Sequence, residues 1–198
     1  MPDISITDFT DFILRTGLPK ISKVAEIFRR GDYQPSHDFW KLLREHICEY
    51  HEGAHGGRLT FDLTGAHEKK RARYQEAIEG YERYLKANAP EWFKPHRAEW
   101  RFEDLVVRIN PEVGFVLGGR SLLVKLYFKH EPLTKHRVQV ALSLMSAGQK
   151  SKKHRVAILD VVRSRLYVEL AQNPQIEALL KGEAATFLAI WNSLSQKG

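Results

Sequence analysis

The segment His51-Glu52-Gly53-Ala54-His55 is a formal match to the H-E-x-x-H pattern of zinc hydrolases. On a helix this spacing places two imidazoles on one face, where they bind Zn²⁺ while the glutamate acts as a general base. The glycines at 53, 56 and 57 indicate that the helix ends here, since glycine costs about 1 kcal/mol relative to alanine inside a helix. His51 and His55 are therefore weak metal candidates, and histidines stabilised by the dipole at a helix C-terminus are the simpler interpretation.

Positive charge is concentrated in residues 94–165. The chain has 198 residues and a formal charge of +7. This block contains 15 Lys and Arg against 6 Asp and Glu, a net of +9, whereas residues 1–93 and 166–198 each have a net of −1. Clustered cations attract polyanions, which release counterions on binding. The block predicts a nucleic-acid-binding surface; the alternative is a solvated basic surface that only favours solubility.

The candidate phosphate contacts lie on a predicted strand, on the helix after it and in the following loop. They are Lys125, Lys129, Lys135, Arg137, Lys150, Lys152, Lys153 and Arg155. The aromatic residues Trp100, Tyr127 and Phe128 are interleaved with these cations. Aromatic rings beside cations suit unpaired bases, which stack on them, but core packing is the simpler interpretation of the same residues.

Hydrophobic periodicity predicts helices throughout residues 1–93. They begin near Thr7, run from Ile21 to Gly31 and from Ser36, as N-cap, to Tyr50, and continue from Ala66 to Leu85. Pro90 and Pro95 mark a linker. The first region is therefore predicted to be helical.

Residues 94–198 have the alternation of strands. Strands are predicted at 99–109, 113–117 and 121–128, the last two joined by a tight turn at Gly118-Gly119. A helix from Thr134 to Gly148, two strands around 163–165 and a helix after Pro174 follow. Asp160 is expected to pair with Arg163 or Arg165. The predicted fold class is α/β (α+β): a helical region at 1–93, then a mixed sheet with a packed helix in the order β-β-β-α-β-β-α.

The order of elements over about residues 99–170 resembles the core of the PD-(D/E)XK nuclease-like superfamily, especially its RecB-type exonuclease members. The residues that support it are Glu112, the strand LLVKLYFK and a helix containing Gln139. The resemblance implies a restriction-endonuclease-like core in which Glu112 binds Mg²⁺ or Mn²⁺ and Lys125 or Lys129 stands beside the scissile phosphate, with Gln139 in the same site. Neither lysine has Asp or Glu two residues before it, which implies a degenerate active site.

The sequence thus predicts a non-catalytic or weakly catalytic nucleic-acid-binding protein that needs no cofactor. Three alternatives stay open: a metal-dependent nuclease that uses Glu112 with Lys125 or Lys129, a zinc hydrolase at residues 51–55, and a protein–protein adaptor. A protein partner or a homo-oligomer is compatible with each. No apolar stretch approaches the roughly 20 residues that a membrane span needs, and Cys48 has no second cysteine to pair with. We expect a cytoplasmic protein without membrane association.

Overall fold

The computed structural model describes residues 1–30, 38–53, 59, 67–151, 153–169 and 174–196. Within them the helices are α1 (Ile6–Ile13), α2 (Leu18–Arg30), α3 (Lys41–His51), α4 (Glu68–Asn88), α5 (Lys135–Ala147) and α6 (Pro174–Ser195). The strands are β1 (Asp3–Ser5), β2 (Glu91–Phe93), β3 (Ala98–Phe102), β4 (Leu105–Ile109), β5 (Val113–Leu117), β6 (Arg120–Tyr127), β7 (Arg155–Asp160) and β8 (Arg165–Val168). The predicted mixture of helices and strands is confirmed. None of these helices is long and apolar enough to cross a membrane.

The described strands form two sheets. The smaller has the order β1-β4-β3, with β1 parallel and β3 antiparallel to β4. The larger has the order β2-β5-β6-β7-β8, and only its β6–β7 pair is parallel. A parallel pair needs a crossover connection, and α5 provides it between β6 and β7. The larger sheet is therefore an antiparallel meander that continues through one β-α-β unit.

Strand β7 is buried on both of its faces. Val156 and Ile158 belong to a hydrophobic core that α1, α2, α5 and α6 share with the smaller sheet. Ala157 and Leu159, which point to the other face, belong to a second core with α3 and α4. Each core contains residues from both sides of residue 93. The larger sheet is thus a central layer with helices on both faces.

Several short sequence motifs adopt the local structures that their residue types predict. The Thr134 side chain accepts a hydrogen bond from the Arg137 backbone N–H at 3.2 Å and caps α5, which ends before Gly148. Gly118 and Gly119 both have positive φ, 54° and 75°, as a tight hairpin with a right-handed twist requires. The predicted turn between β7 and β8 is also present. The predicted Ser36 cap lies outside the described residues.

The prediction of one strand over 99–109 is wrong. The chain reverses at Glu103-Asp104 to form a hairpin of β3 and β4, with Trp100 opposite Val107 and Phe102 opposite Leu105. Glu103 has a φ of +47°, which few residues other than glycine adopt readily. Because neither turn residue is glycine or asparagine, the sequence carries no clear signal for this turn.

The strand beside β5 in the larger sheet comes from the segment predicted to be a linker. Strand β2 lies between Pro90 and Pro95 and, among the described strands, pairs only with β5. Proline is tolerated next to an edge strand, where a missing N–H breaks no ladder. The predicted meander is therefore built from β2, β5 and β6, while β3 and β4 belong to the smaller sheet. The parallel strand β1 was also missed, because three residues are too few to show an alternation.

Candidate functional site

A cleft of about 1920 Å³ is lined by both sheets and by α2 and α3. Glu112 and Lys125 contribute to its lining from the start of β5 and from β6. His96 and Arg97, from the segment between β2 and β3, and Lys150, from the loop after α5, line it as well. We call these last three residues the rim. The cleft thus brings together residues from four separate parts of the chain.

Glu112 and Lys125 form an ion pair in this cleft. The register of the hairpin, with Val113 opposite Val124, places them next to each other. The second carboxylate oxygen of Glu112 accepts a hydrogen bond from the Leu126 backbone N–H at 2.8 Å. The Glu112 side chain is only 8% exposed, so water satisfies little of its charge. These bonds therefore neutralise and fix the Glu112 carboxylate.

A second cation and a thiol approach Glu112 from α3. The Arg44 Nε lies 3.8 Å from Glu112 Oε1, and the Arg44 guanidinium also binds the Asp38 carboxylate. The Cys48 thiol donates a hydrogen bond to the Glu112 carbonyl oxygen at 3.3 Å. Burial, and next the nearby charge of Glu112, raises the pKa of Cys48 to about 11. At neutral pH this thiol is protonated, which makes it a poor nucleophile.

The residues around Glu112 do not fit a Mg²⁺ or Mn²⁺ ion. Mg²⁺ is normally held by more than one oxygen ligand from protein or substrate in near-octahedral geometry. Here the Glu112 carboxylate is already bonded to Lys125 and to a backbone N–H. Among the residues that the structure describes, no group of three His, Cys, Asp or Glu side chains could hold a metal ion. Among the described residues, the Glu112 site therefore lacks the set of oxygen ligands that either ion needs.

Lys129 and Arg137 lie away from Glu112 and bind a different carboxylate. Both contact Asp11 of α1, Lys129 at 3.3 Å. Gln139 is exposed on α5 and does not line the cleft. Of the site implied by the resemblance, the structure therefore brings together Glu112 and Lys125 and leaves Lys129 and Gln139 elsewhere.

The aromatic residues singled out from the sequence are mainly structural. Trp100 is 8% exposed in the first core and Phe128 is 4% exposed in the second. Tyr127 is half-buried, and its hydroxyl donates a hydrogen bond to the Glu131 carbonyl at 2.8 Å. Core packing, the simpler interpretation, is thus correct for Trp100 and Phe128.

The exposed cations near the cleft come from the rim and from the loop beside it. Arg97, Lys150 and Lys153 are exposed, and no carboxylate of the described part of the chain lies within 4.0 Å of their charged groups. Lys135 is exposed too, but it does not line the cleft. The exposed Arg155 donates a hydrogen bond to the Glu169 carbonyl. Lys152 lies outside the described residues.

A row of rings at the rim was not predicted from the sequence. The Phe93 and His154 rings are stacked, with centroids 5.2 Å apart and planes at 24°. The His96 ring lies against His154 with a centroid distance of 5.5 Å. The only sequence signal was that Phe93 and His96 flank basic residues. Phe93 lies in the predicted linker between Pro90 and Pro95, His96 follows it, and His154 is 58 residues away from His96 in the chain.

The predicted zinc motif is not assembled as a metal site within the described residues. The His51 Nε2 is 2.7 Å from the Tyr81 hydroxyl oxygen, and burial lowers the pKa of His51 to about 4. His51 is therefore neutral at physiological pH, so the expected stabilisation of a charged histidine by the helix dipole is wrong for it. Glu52 is exposed and forms an ion pair with Lys94 at 2.9 Å. Helix α3 ends at His51, as the glycines predict, and His55 lies outside the described residues.

The site is thus a cleft with a neutralised Glu112–Lys125 pair, a basic rim and a row of three rings. Comparison of the chain with models of known protein families, with curated proteins and with solved structures finds no match.

Proposed function

We propose that this protein binds nucleic acid at the rim of the cleft and does not cleave it efficiently. The observation that carries the proposal is the meeting of two exposed basic segments at one edge of the cleft. His96 and Arg97 come from one segment and Lys150 from the other, with Lys153 in the same loop. Arg97, Lys150 and Lys153 have no carboxylate partner within the described chain. Cations in this state are available to phosphate oxygens.

Several of the other candidate cations already form ion pairs, which favours the rim as the phosphate-binding surface. Lys125 is neutralised by Glu112, and Lys129 and Arg137 share Asp11. A phosphate that approached these cations would compete with a carboxylate that is already in place. The phosphate contacts of the proposal are therefore Arg97, Lys150 and Lys153.

The sheet order supports the proposal of a degenerate nuclease-like core. The β5–β6 hairpin, followed by α5 and the parallel strand β7, corresponds to part of the element order of the PD-(D/E)XK resemblance, while the strand beside β5 is β2, from outside residues 99–170. Glu112 and Lys125 meet where that resemblance places a carboxylate and a lysine. The Glu112 carboxylate is occupied by Lys125 and the Leu126 N–H, which favours binding over metal-dependent cleavage.

The proposal is tested by fluorescence anisotropy of labelled single- and double-stranded DNA and RNA, titrated with the protein at several salt concentrations. We expect binding whose logarithm falls linearly with the logarithm of the salt concentration, since phosphate contacts release counterions. Absence of binding to every probe at low salt would overturn the proposal and leave the adaptor alternative. Inorganic polyphosphate serves as a competitor, because equal affinity for it would show a general polyanion site.

The same protein preparation tests the nuclease alternative. Labelled DNA and RNA are incubated with Mg²⁺ or Mn²⁺, and the products are separated by electrophoresis. Cleavage that is lost in a folded Glu112→Ala variant would support the nuclease and contradict a purely binding function. We expect the probes to stay intact with either metal ion and to bind the protein with the same affinity as without it. Metal analysis of the purified protein addresses the zinc alternative at His51.

A further inference from the structure

The row of rings at the rim is built outward from the sheet, beginning at a glycine. Phe93 of β2 is opposite Gly114 of β5 in the register of the strands. A Cβ atom at Gly114 would lie 2.5 Å from the Phe93 ring, so the ring packs directly over the glycine backbone. Aromatic rings commonly cover a strand glycine in this way. Gly114 therefore fixes the position of Phe93.

His154 is held on the outer side of Phe93. Its ring is stacked on Phe93, and its Nδ1 lies 2.9 Å from the Ser121 hydroxyl oxygen. That hydroxyl donates to the Lys153 carbonyl oxygen at 3.4 Å, which leaves it able to accept a hydrogen bond from the His154 Nδ1–H. Two neighbours thus fix the plane of the His154 ring before any ligand binds.

His96 is the outermost ring of the row. It is exposed, it lies against His154, and it lines the cleft. Its chain neighbour Arg97 and the rim residue Lys150 line the same cleft and are exposed. The planes of the His96 and His154 rings are tilted by 51°, so His154 contacts the His96 ring without covering its face. An exposed ring next to cations has the composition of a stacking site for a base, with its phosphates on the cations.

We propose that an unpaired base stacks on His96, so that the ligand of the rim is single-stranded nucleic acid. This inference rests on the proposed function and narrows its substrate class. In a duplex both faces of each internal base are already covered by neighbouring bases, so stacking on His96 would first require unstacking, which costs a few kcal/mol. A single strand exposes its bases without that cost.

The test compares two probes that differ only in their bases. One is a labelled oligodeoxythymidylate of about 12 nucleotides, within the usual site size of single-strand-binding modules, and the other is an abasic oligomer of the same length. Anisotropy is measured at pH 8, above the usual titration range of imidazole. The wild-type protein should bind the thymidylate oligomer about fivefold more tightly than the abasic oligomer, as expected for one stacked base.

Variants at His96 separate stacking from charge and from folding. His96→Ala should weaken binding of the thymidylate oligomer about fivefold and leave the abasic oligomer unchanged, while His96→Phe should retain the wild-type affinity. His136→Ala, at an exposed histidine of α5 outside the cleft, is the matched control and should change neither affinity.

Three results would overturn the inference. Equal wild-type affinity for both oligomers would show that phosphate contacts alone bind the ligand, and the proposed function would then stand without the stacking site. Loss of affinity in His96→Phe equal to that in His96→Ala would show that the imidazole acts by charge or hydrogen bonding. Failure of both oligomers and of duplex probes to bind would remove the proposed function itself, together with this inference.

Discussion

Glu112 and Lys125 are neighbours because the β5–β6 hairpin pairs Val113 with Val124. The Glu112 backbone N–H donates to the Val124 carbonyl at 3.1 Å, and the carboxylate then reaches both Lys125 Nζ and the Leu126 N–H. The Glu112 side chain is 8% exposed and the Lys125 side chain is 21% exposed. Because little water reaches these side chains, the positions of Lys125 and of the Leu126 N–H stabilise the Glu112 carboxylate. It leaves the floor of the cleft close to neutral while the rim is positive.

Glu112→Ala should lower the free energy of unfolding by about 2–4 kcal/mol. The substitution removes the acceptor of the Leu126 N–H and leaves Lys125 and Arg44 as neighbouring cations without this carboxylate. Urea denaturation followed by tryptophan fluorescence measures the change. Glu112→Gln is the matched control, since its amide oxygen can still accept from Leu126, and its loss should be clearly smaller. Equal losses would mean that the charge, and not the backbone hydrogen bond, dominates.

Charge reversal in the loop between α5 and β7 should weaken nucleic-acid binding and make the affinity less sensitive to salt. For Lys150→Glu combined with Lys153→Glu, the slope of log affinity against log salt should become shallower by up to about 1.4 for a single strand, since each lost phosphate contact removes about 0.7. Anisotropy titrations at several salt concentrations measure it. Lys69→Glu with Lys86→Glu makes the same change of net charge outside the cleft. If that control lowered the slope equally, the effect would belong to overall charge and not to the rim.

Stability should decrease as the pH falls from about 6.5 to about 4, in part because of His51. Burial lowers the pKa of His51 to about 4, so the unfolded chain binds a proton in this window that the folded chain does not. Protonation of the unfolded chain therefore lowers the free energy of unfolding as the pH falls. The full pKa difference would correspond to about 3 kcal/mol, and the expected loss is smaller because the ring is partly solvated. Urea denaturation at several pH values measures the effect.

The variant His51→Gln isolates this contribution. Glutamine does not titrate, and its amide can still bond to the Tyr81 hydroxyl that His51 contacts. The difference in stability between the two proteins should therefore depend on pH between about 4 and 6.5 and be constant above it. A constant difference over the whole range would show that His51 does not titrate differently in the folded and unfolded chains.

The same substitution should have opposite effects at two helical glycines. Gly80 of α4 packs against the turn before β8, and a Cβ there would lie 2.1 Å from the Val161 carbonyl oxygen. Gly80→Ala should therefore destabilise the protein by about 2 kcal/mol or more, despite the better helix propensity of alanine. A Cβ at Gly182 of α6 meets no atom within 4 Å, so Gly182→Ala should stabilise by up to about 1 kcal/mol. Thermal or urea unfolding of both variants checks the contrast; a mild effect at Gly80 would mean that α4 can move away from the turn.

The elements that the sequence predicts well are those whose signals are local. The Thr134 cap, the Gly118-Gly119 turn and the apolar run of β7 each depend on residues a few positions apart. Their backbone hydrogen bonds and φ values follow from residue type alone, and so does the mixed α/β class. The Glu103-Asp104 reversal has no such signal, which is why two strands were predicted to be one.

Which cations are free and which rings are exposed depends on contacts that only the tertiary structure makes. Asp11 neutralises Lys129 and Arg137, which are 118 and 126 residues away in the chain. His154 contacts Phe93 and His96, which precede it in the chain by all of β3 to β6 and α5. By itself the sequence determined the basic block and the candidate site residues Glu112, Lys125 and Lys129. Packing of α1 against α5, and contact of His96 with His154 in the loop before β7, decided which of these charges a ligand can reach. Charge and aromaticity are properties of a residue, whereas their availability is a property of its neighbours in space.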